Sequence, residues 1–167
     1  YPNQMQSIVL KNGRGYLPNV AASPEGPVKF NVDTQAFLSV FDVAAKSELA
    51  NGTINLHTAV KVQTFTPKLF VANPWAVAFE HASNEGYVVS SASDVLVKVT
   101  LDDNGVPTVV SVPADGDTTR VLTIDVHKNP RGIVINNADT RAYVYNFISK
   151  DVSVVDLTAS PEVELTR

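Results

Sequence analysis

The chain has 167 residues, 44% of them hydrophobic and 18% charged, with 13 basic against 17 acidic side chains and a formal charge of -4. That is the composition of a soluble globular domain: it excludes a disordered tail, supplies enough length for one sizeable core, and lacks the clustered basic surface that nucleic acid requires. No window approaches the ~18 apolar residues of a membrane-spanning helix, and with no Cys there is no disulfide, no thiolate nucleophile, no Cys-ligated zinc and no covalently attached haem to expect.

The residue mix selects strand. There are 27 Val, 6 Ile and 13 Thr against 11 Leu and 16 Ala, and β-branched side chains suit a pleated surface better than a helix. The chain opens Tyr1-Pro2-Asn3 with neither an initiator Met nor a charged-then-apolar leader, as expected of a processed form or a piece of something longer. Strands are expected at Ser7-Ile8-Val9-Leu10, around Tyr16, and at Phe37–Val43, with a Pro-, Ala- and Ser-rich insertion from Val20 to Gln35. Val43–Ala50 has helical composition but stops at Asn51-Gly52, which predicts one or two helical turns at most. A further strand is expected at Ile54–Val62, with Gln63–Val71 as second choice. Then come Pro74–Phe79, Tyr87–Ser90, the alternating run Val95–Leu101 with Val95, Val97, Val99 and Leu101 on one face, Thr119–Val126, Ile133–Ile135, Tyr143–Asn146 and Val152–Leu157. Asp102-Asp103-Asn104-Gly105 and Asp115-Gly116-Asp117 read as hairpin turns, because neither continues with the remaining ligands of a calcium loop. Asn51-Gly52-Thr53 is a glycosylation sequon that a turn explains equally well.

The order of these elements recurs. Asn73-Pro74-Trp75-Ala76-Val77 leads, thirteen residues after its Pro, to Tyr87-Val88-Val89-Ser90 and then to the Val95 run. Asn129-Pro130-Arg131-Gly132-Ile133 leads by the same spacing to Tyr143-Val144-Tyr145-Asn146 and then to Val152-Ser153-Val154-Val155-Asp156-Leu157. A looser copy runs from Pro2 through Tyr16-Leu17-Pro18-Asn19 to Phe37-Leu38-Ser39-Val40-Phe41-Asp42. Four antiparallel strands per tandem unit are the signature of β-propeller blades. The units fall at about residues 1–62, 63–126 and 127–167 of a single partial propeller.

The third copy resembles one repeat of the YVTN-type β-propellers, whose blades run Asn-Pro-x-Gly, Tyr-Val-x-Asn and Val-Ser-Val-apolar-Asp. The second copy has Ser90 for the Asn and Lys98 and Thr100 in its last strand. The resemblance implies an all-β fold of four-stranded blades, and a function outside the cytoplasm, on a cell surface or in a periplasm. It extends to adhesion and surface-layer proteins, propellers fused to cytochrome c, amine dehydrogenase heavy subunits and lactonases, so fold alone does not choose an activity. Three blades do not close a ring of about four to eight, which predicts either further blades or self-association.

Candidate chemistry is sparse. His57, His81 and His127 lie in different units without ligand spacing, so no metal and no cofactor is expected, nor any catalytic residue: there is no Gly-x-Ser-x-Gly element, Gly-rich phosphate loop or close carboxylate pair. The residue after each unit's Pro, namely Asn3, Trp75 and Arg131, is expected near one mouth of the channel, with His127 close by; Trp75, His127 and Arg131 are the candidate ligand-binding set. Tyr16 and Tyr143 are expected to bury their rings between blades, and Asn19 and Asn146 to hold the turns that follow. The sequence thus predicts a non-catalytic binding or scaffold propeller holding a protein or glycan, with no nucleic acid and no membrane insertion. The alternative is the propeller part of a redox enzyme or cytochrome c fusion whose catalytic residues lie elsewhere.

Overall fold

The computed structural model describes residues 2–22, 34–61, 70–114 and 117–166, which form three antiparallel sheets, a separate hairpin and one short helix. In sheet one, β1 (Pro2–Asn3) and β2 (Val9–Lys11) flank one side of β3 (Arg14–Ala22), and β4 (Thr34–Asp42) the other. Strands β5 (Ser47–Glu48) and β6 (Ile54–Asn55) both pair with β4. The insertion lengthens this hairpin, since β3 and β4 stay in register as far as Ala22 opposite Thr34.

Sheet two is built on β7 (Pro74–Phe79), β8 (Glu85–Ser90) and β9 (Val95–Leu101). Its outer strand is shared. The far half of β9 pairs with β10 (Pro107–Val109) and the near half with β13 (Thr123–Asp125). Between them the chain makes an excursion, the hairpin of β11 (Ser111–Ala114) and β12 (Asp117–Val121), closed at its base by the Leu122 N–H donating to the Val110 carbonyl at 2.9 Å. Sheet three is a plain four-stranded meander, β14 (Pro130–Ile135), β15 (Arg141–Asn146), β16 (Asp151–Asp156) and β17 (Val163–Thr166).

The first three strands of sheets two and three share their pairing pattern and several turn bonds. Ser91 N–H donates to the Asn73 carbonyl as Phe147 N–H does to Asn129, and Leu101 N–H to Asn84 as Leu157 N–H to Thr140. Asn73 and Asn129 are both left-handed, at φ 54° and 57°, as are Asp94 and Lys150 at the β8–β9 and β15–β16 turns. Asn and Asp tolerate that region through local side-chain hydrogen bonds.

Sheet two lies in the middle with both faces covered. Val77, Phe79, Val88, Val97, Val99 and Leu101 pack on Tyr16, Leu38 and Val40 of sheet one. On the other side Ala76, Tyr87, Val89 and Leu96 pack on Ala142, Val144, Val155 and Leu157 of sheet three. Each fully buried Val or Leu here contributes roughly 1.5–3 kcal/mol. Charge is buried in the second junction as well: Lys98 Nζ pairs with Glu162, and the Tyr87 hydroxyl donates to Glu80 Oε1 at 3.2 Å.

Four expectations fail, each for an identifiable reason. Val43–Ala50 is a turn followed by β5 rather than helix: Val43–Glu48 is exposed and only Leu49 packs on the core, while the Asp42 carboxylate accepts from Ala45 N–H at 2.8 Å and tightens the turn. The strand expected at Ile54–Val62 ends at Asn55, and α1 (Leu56–Lys61) takes over. Asn55 Oδ1 caps it by accepting from His57 N–H at 2.9 Å, and Leu56 and Val60, one helical turn apart, bury together. Most of Gln63–Val71 lies outside the described residues; Phe70 and Val71 are not strand. Thr119–Val126 is broken at Leu122, because its first half pairs with β11 and its second with β9. Finally, Tyr16 is buried and donates to the Gly105 carbonyl at 2.9 Å, but Tyr143 is exposed, since no described sheet covers its face of sheet three.

Candidate ligand site at the start of the inner strands

Trp75 and Arg131 occupy the same kind of position for the same reason. In sheet two Pro74 pairs with Ser90 and Ala76 with Val89, so Trp75 is the extra residue of a β-bulge. In sheet three Pro130 pairs with Asn146 and Gly132 with Tyr145, which leaves Arg131 as the extra residue. A Pro at the first strand position has no N–H to give the ladder, and a bulge just behind it turns the next side chain out of the regular alternation. Because β7 and β14 run side by side, the two bulged residues meet.

They meet as a stack. The Arg131 guanidinium carbon lies 4.5 Å from the Trp75 ring centroid and 3.9 Å from that of Phe147. Arg131 Nε donates to Asn129 Oδ1 at 2.8 Å, which sets the rotation of the guanidinium plane. Asn129 is itself held, donating through Nδ2 to Ser91 Oγ at 3.0 Å and to the Ser91 carbonyl at 3.1 Å, while its N–H donates to Asp94 Oδ1 at 2.8 Å. Lys128 Nζ reaches the other oxygen of Asp94 at 2.6 Å. Partial burial raises the Asp94 pKa, but the bonds from Lys128 and from Asn129 N–H outweigh it and hold the carboxyl below its usual range. On the far side the Ser7 hydroxyl donates to the Trp75 carbonyl at 3.0 Å, so sheet one also anchors the cluster.

Among the described residues no acceptor claims the two terminal nitrogens of Arg131. A guanidinium stacked on aromatic faces loses little of its hydrogen-bonding capacity, because its donors lie in its plane and the rings cover only its faces. Those nitrogens form a fork suited to a carboxylate or another planar anion.

His127 is not part of this cluster by contact. Its Nδ1 lies 2.6 Å from Asp151 Oδ2, at the start of β16, and its Nε2 faces Glu164 of β17 at 3.5 Å. It ties the segment after β13 to the outer half of sheet three. Asn3, in regular register opposite Val20, is not a bulge residue either. Phe147 was not marked by the sequence: its counterpart in sheet two is Ser91, and no spacing distinguishes an aromatic one residue past a strand. Among the described residues no group of three or more His, Asp or Glu is placed to hold a metal ion, and no helix is long and apolar enough to cross a membrane.

No family model matches the chain, and no curated protein does. Solved structures do share its fold. A functionally unknown protein from Desulfotomaculum acetoxidans DSM 771 aligns with 97% of this chain and 41% of its own at a TM-score of 0.64 and 10% identity. Kuenenia stuttgartiensis hydrazine synthase aligns with 94% of this chain and 46% of its own at a TM-score of 0.69 and 10% identity. The chain therefore spans less than half the length of either, and at this identity the likeness is one of fold.

Proposed function

We propose that the three sheets are consecutive blades of a β-propeller, and that the chain is a non-catalytic binding or scaffold module working outside the cytoplasm, on a cell surface or in a periplasm. The edge strands β2, β7 and β14 lie near one another while β13 and β17 meet on the opposite side, as inner and outer blade edges would. Closed propellers take about four to eight blades, so three account for part of a ring. The extracytoplasmic setting draws on the likeness of Asn129–Leu157 to YVTN-type repeats.

The observation that carries the binding role is the Arg131 guanidinium held between Trp75 and Phe147 with its terminal nitrogens open. The ligand is a carboxylate presented by a protein or a glycan. Trp75 is the sole Trp of the chain, so its fluorescence reports on the site directly. Titration with oligogalacturonate and with polyglutamate is expected to change that emission with at least one of them, in a salt-sensitive way, and Arg131→Gln to abolish the response. Emission indifferent to both polyanions, or a response retained by Arg131→Gln, refutes the reading.

The second reading, a propeller belonging to a redox assembly with its reactive groups elsewhere, draws on the fold likeness to hydrazine synthase. A haem absorption band in the full-length parent protein would favour it.

A further inference from the structure

The chain contains three Asn-Gly steps, Asn12-Gly13, Asn51-Gly52 and Asn104-Gly105, and the fold treats them differently. An asparagine before glycine is open to attack on its own side chain, because no Cβ on the next residue shields the main-chain nitrogen. The reaction needs that nitrogen free of other bonds, and room for the peptide to swing towards the side chain. All three asparagines are exposed, so the glycines decide.

Two of the glycines are held. Gly52 N–H donates to the Leu49 carbonyl at 2.9 Å, and Gly105 N–H to the Asp102 carbonyl at 2.9 Å. Both are also hemmed in: a methyl on Gly52 would lie 2.9 Å from Leu49 Cβ, and one on Gly105 would lie 2.9 Å from Arg14 Cγ and from the Tyr16 hydroxyl. Gly13 is the exception. With Asn12 it forms the two-residue turn of the β2–β3 hairpin, closed by the pair Lys11 and Arg14, and both turn residues are left-handed, at φ 50° and 76°. The Gly13 carbonyl accepts from Val43 N–H at 3.1 Å, but among the described residues its N–H has no acceptor, and nothing lies within 4 Å of where a Cβ would stand.

We infer that Asn12 is a site of spontaneous succinimide formation in the folded chain, ending in isoaspartate or aspartate, and that the fold protects Asn51 and Asn104 from the same reaction. Gly13 N attacks Asn12 Cγ. The new N–Cγ bond replaces the Cγ–Nδ2 bond, and the Gly13 N–H proton leaves with Nδ2 as ammonia. Water then opens the imide: at the Cγ carbonyl it restores the main chain as aspartate, whereas at the backbone carbonyl it leaves the chain running through the side chain as isoaspartate, one methylene longer. A two-residue turn has no slack for that methylene, so isoaspartate disturbs the register of β2 against β3, the strand it pairs with. Either product places a new carboxylate in the hollow of about 210 Å³ that Asn12 lines with Arg14, Asp102 and Asp103.

Cleavage after Glu puts the three steps on separate peptides, Tyr1–Glu25, Leu49–Glu80 and Gly86–Glu162. The full chain is incubated at mildly alkaline pH, folded and in parallel in urea. Mass spectrometry then follows amide-to-acid conversion, fragmentation locates the converted residue, and enzymatic methyl transfer reports isoaspartate. In the folded chain Asn12 is expected to convert about tenfold faster than Asn51 and Asn104, whose glycine amides must first give up a hydrogen bond. In urea the three rates are expected to converge. Asn12→Gly, which keeps a left-handed turn, is expected to silence the first peptide and leave the other two unchanged. Equal rates in the folded chain, or Asn51 or Asn104 converting first, overturn the inference. So does the same ordering persisting in urea, which would assign it to neighbouring sequence instead of to the fold.

Discussion

The carboxylate of Asp139, in the turn between β14 and β15, accepts from the backbone N–H of His81, with both of its oxygens 2.8 Å away, and one oxygen also accepts from Ala82 N–H at 2.8 Å. This clasps the far end of sheet three to the segment that follows β7. Burial raises the Asp139 pKa, but the two backbone N–H donors and His81 Nδ1 more than compensate and hold it at about 2, against an ordinary 3.8. A carboxyl with a depressed folded-state pKa contributes stability that is fully present above its unfolded value and disappears as the pH falls through the folded value. Urea midpoints are therefore expected to drop as the pH falls from about 4 towards 2, and Asp139→Asn, less stable at neutral pH, to show a shallower decline in that window. A variant whose pH profile parallels the parent's would show that the clasp does not titrate.

Gly86 leaves room for a ring. A methyl placed on it would sit 2.3 Å from Cδ1 of Phe79, its ladder partner, whose ring in turn packs 4.6 Å from that of Tyr16. Phe79 is buried, so it has nowhere to move, and Gly86→Ala is expected to cost about 1–3 kcal/mol by overpacking. Gly132→Ala is the contrast: its methyl would meet only Tyr145 Cβ, at 3.8 Å, and sheet two already has Ala76 at the matching bulge. Chemical denaturation of both variants should separate them by at least about 1 kcal/mol.

Lys98 is expected to behave as half of a buried pair. Its Nζ is bonded to Glu162, lies 2.7 Å from Glu85, and sits over the Tyr87 ring at 5.8 Å. Burial alone would lower its pKa, but the two carboxylates outweigh that and raise it, so the pair's contribution persists through neutral pH and is lost only as the pH climbs through the raised value. Lys98→Ala strands the Glu162 carboxylate between sheets two and three and is expected to cost about 3–5 kcal/mol. Lys98→Met combined with Glu162→Gln should recover much of that loss in thermal melts; equal losses in both variants would argue against an ion-pair origin.

The helix cap gives a smaller effect. Asn55→Ala removes the acceptor for His57 N–H at the start of α1 and is expected to cost about 0.5–2 kcal/mol, whereas Asn55→Asp keeps an oxygen there and should cost less. Amide exchange within Leu56–Lys61 would show whether the helix loosens before the sheets do.

Strand content, turn positions and the shared order of sheets two and three were legible in the sequence, because β-branched alternation and Asn-Pro, Asp-Gly and Tyr spacings act over a few residues. Local signals also marked α1, in Asn55 followed by Leu56 and Val60, though short apolar runs read as strand and helix alike until packing chooses. What tertiary structure alone decided is which equivalent positions are covered. Tyr87 and Tyr143 have the same local sequence setting, yet one is sealed by the next sheet and the other is not. The ligand site is of the same kind. The residues after Pro74 and Pro130 could be singled out from sequence, but stacking Arg131 between Trp75 and Phe147, and placing His127 with Asp151 instead, depends on how two sheets lie side by side. That arrangement is set by the fit of whole apolar faces, which no single motif encodes.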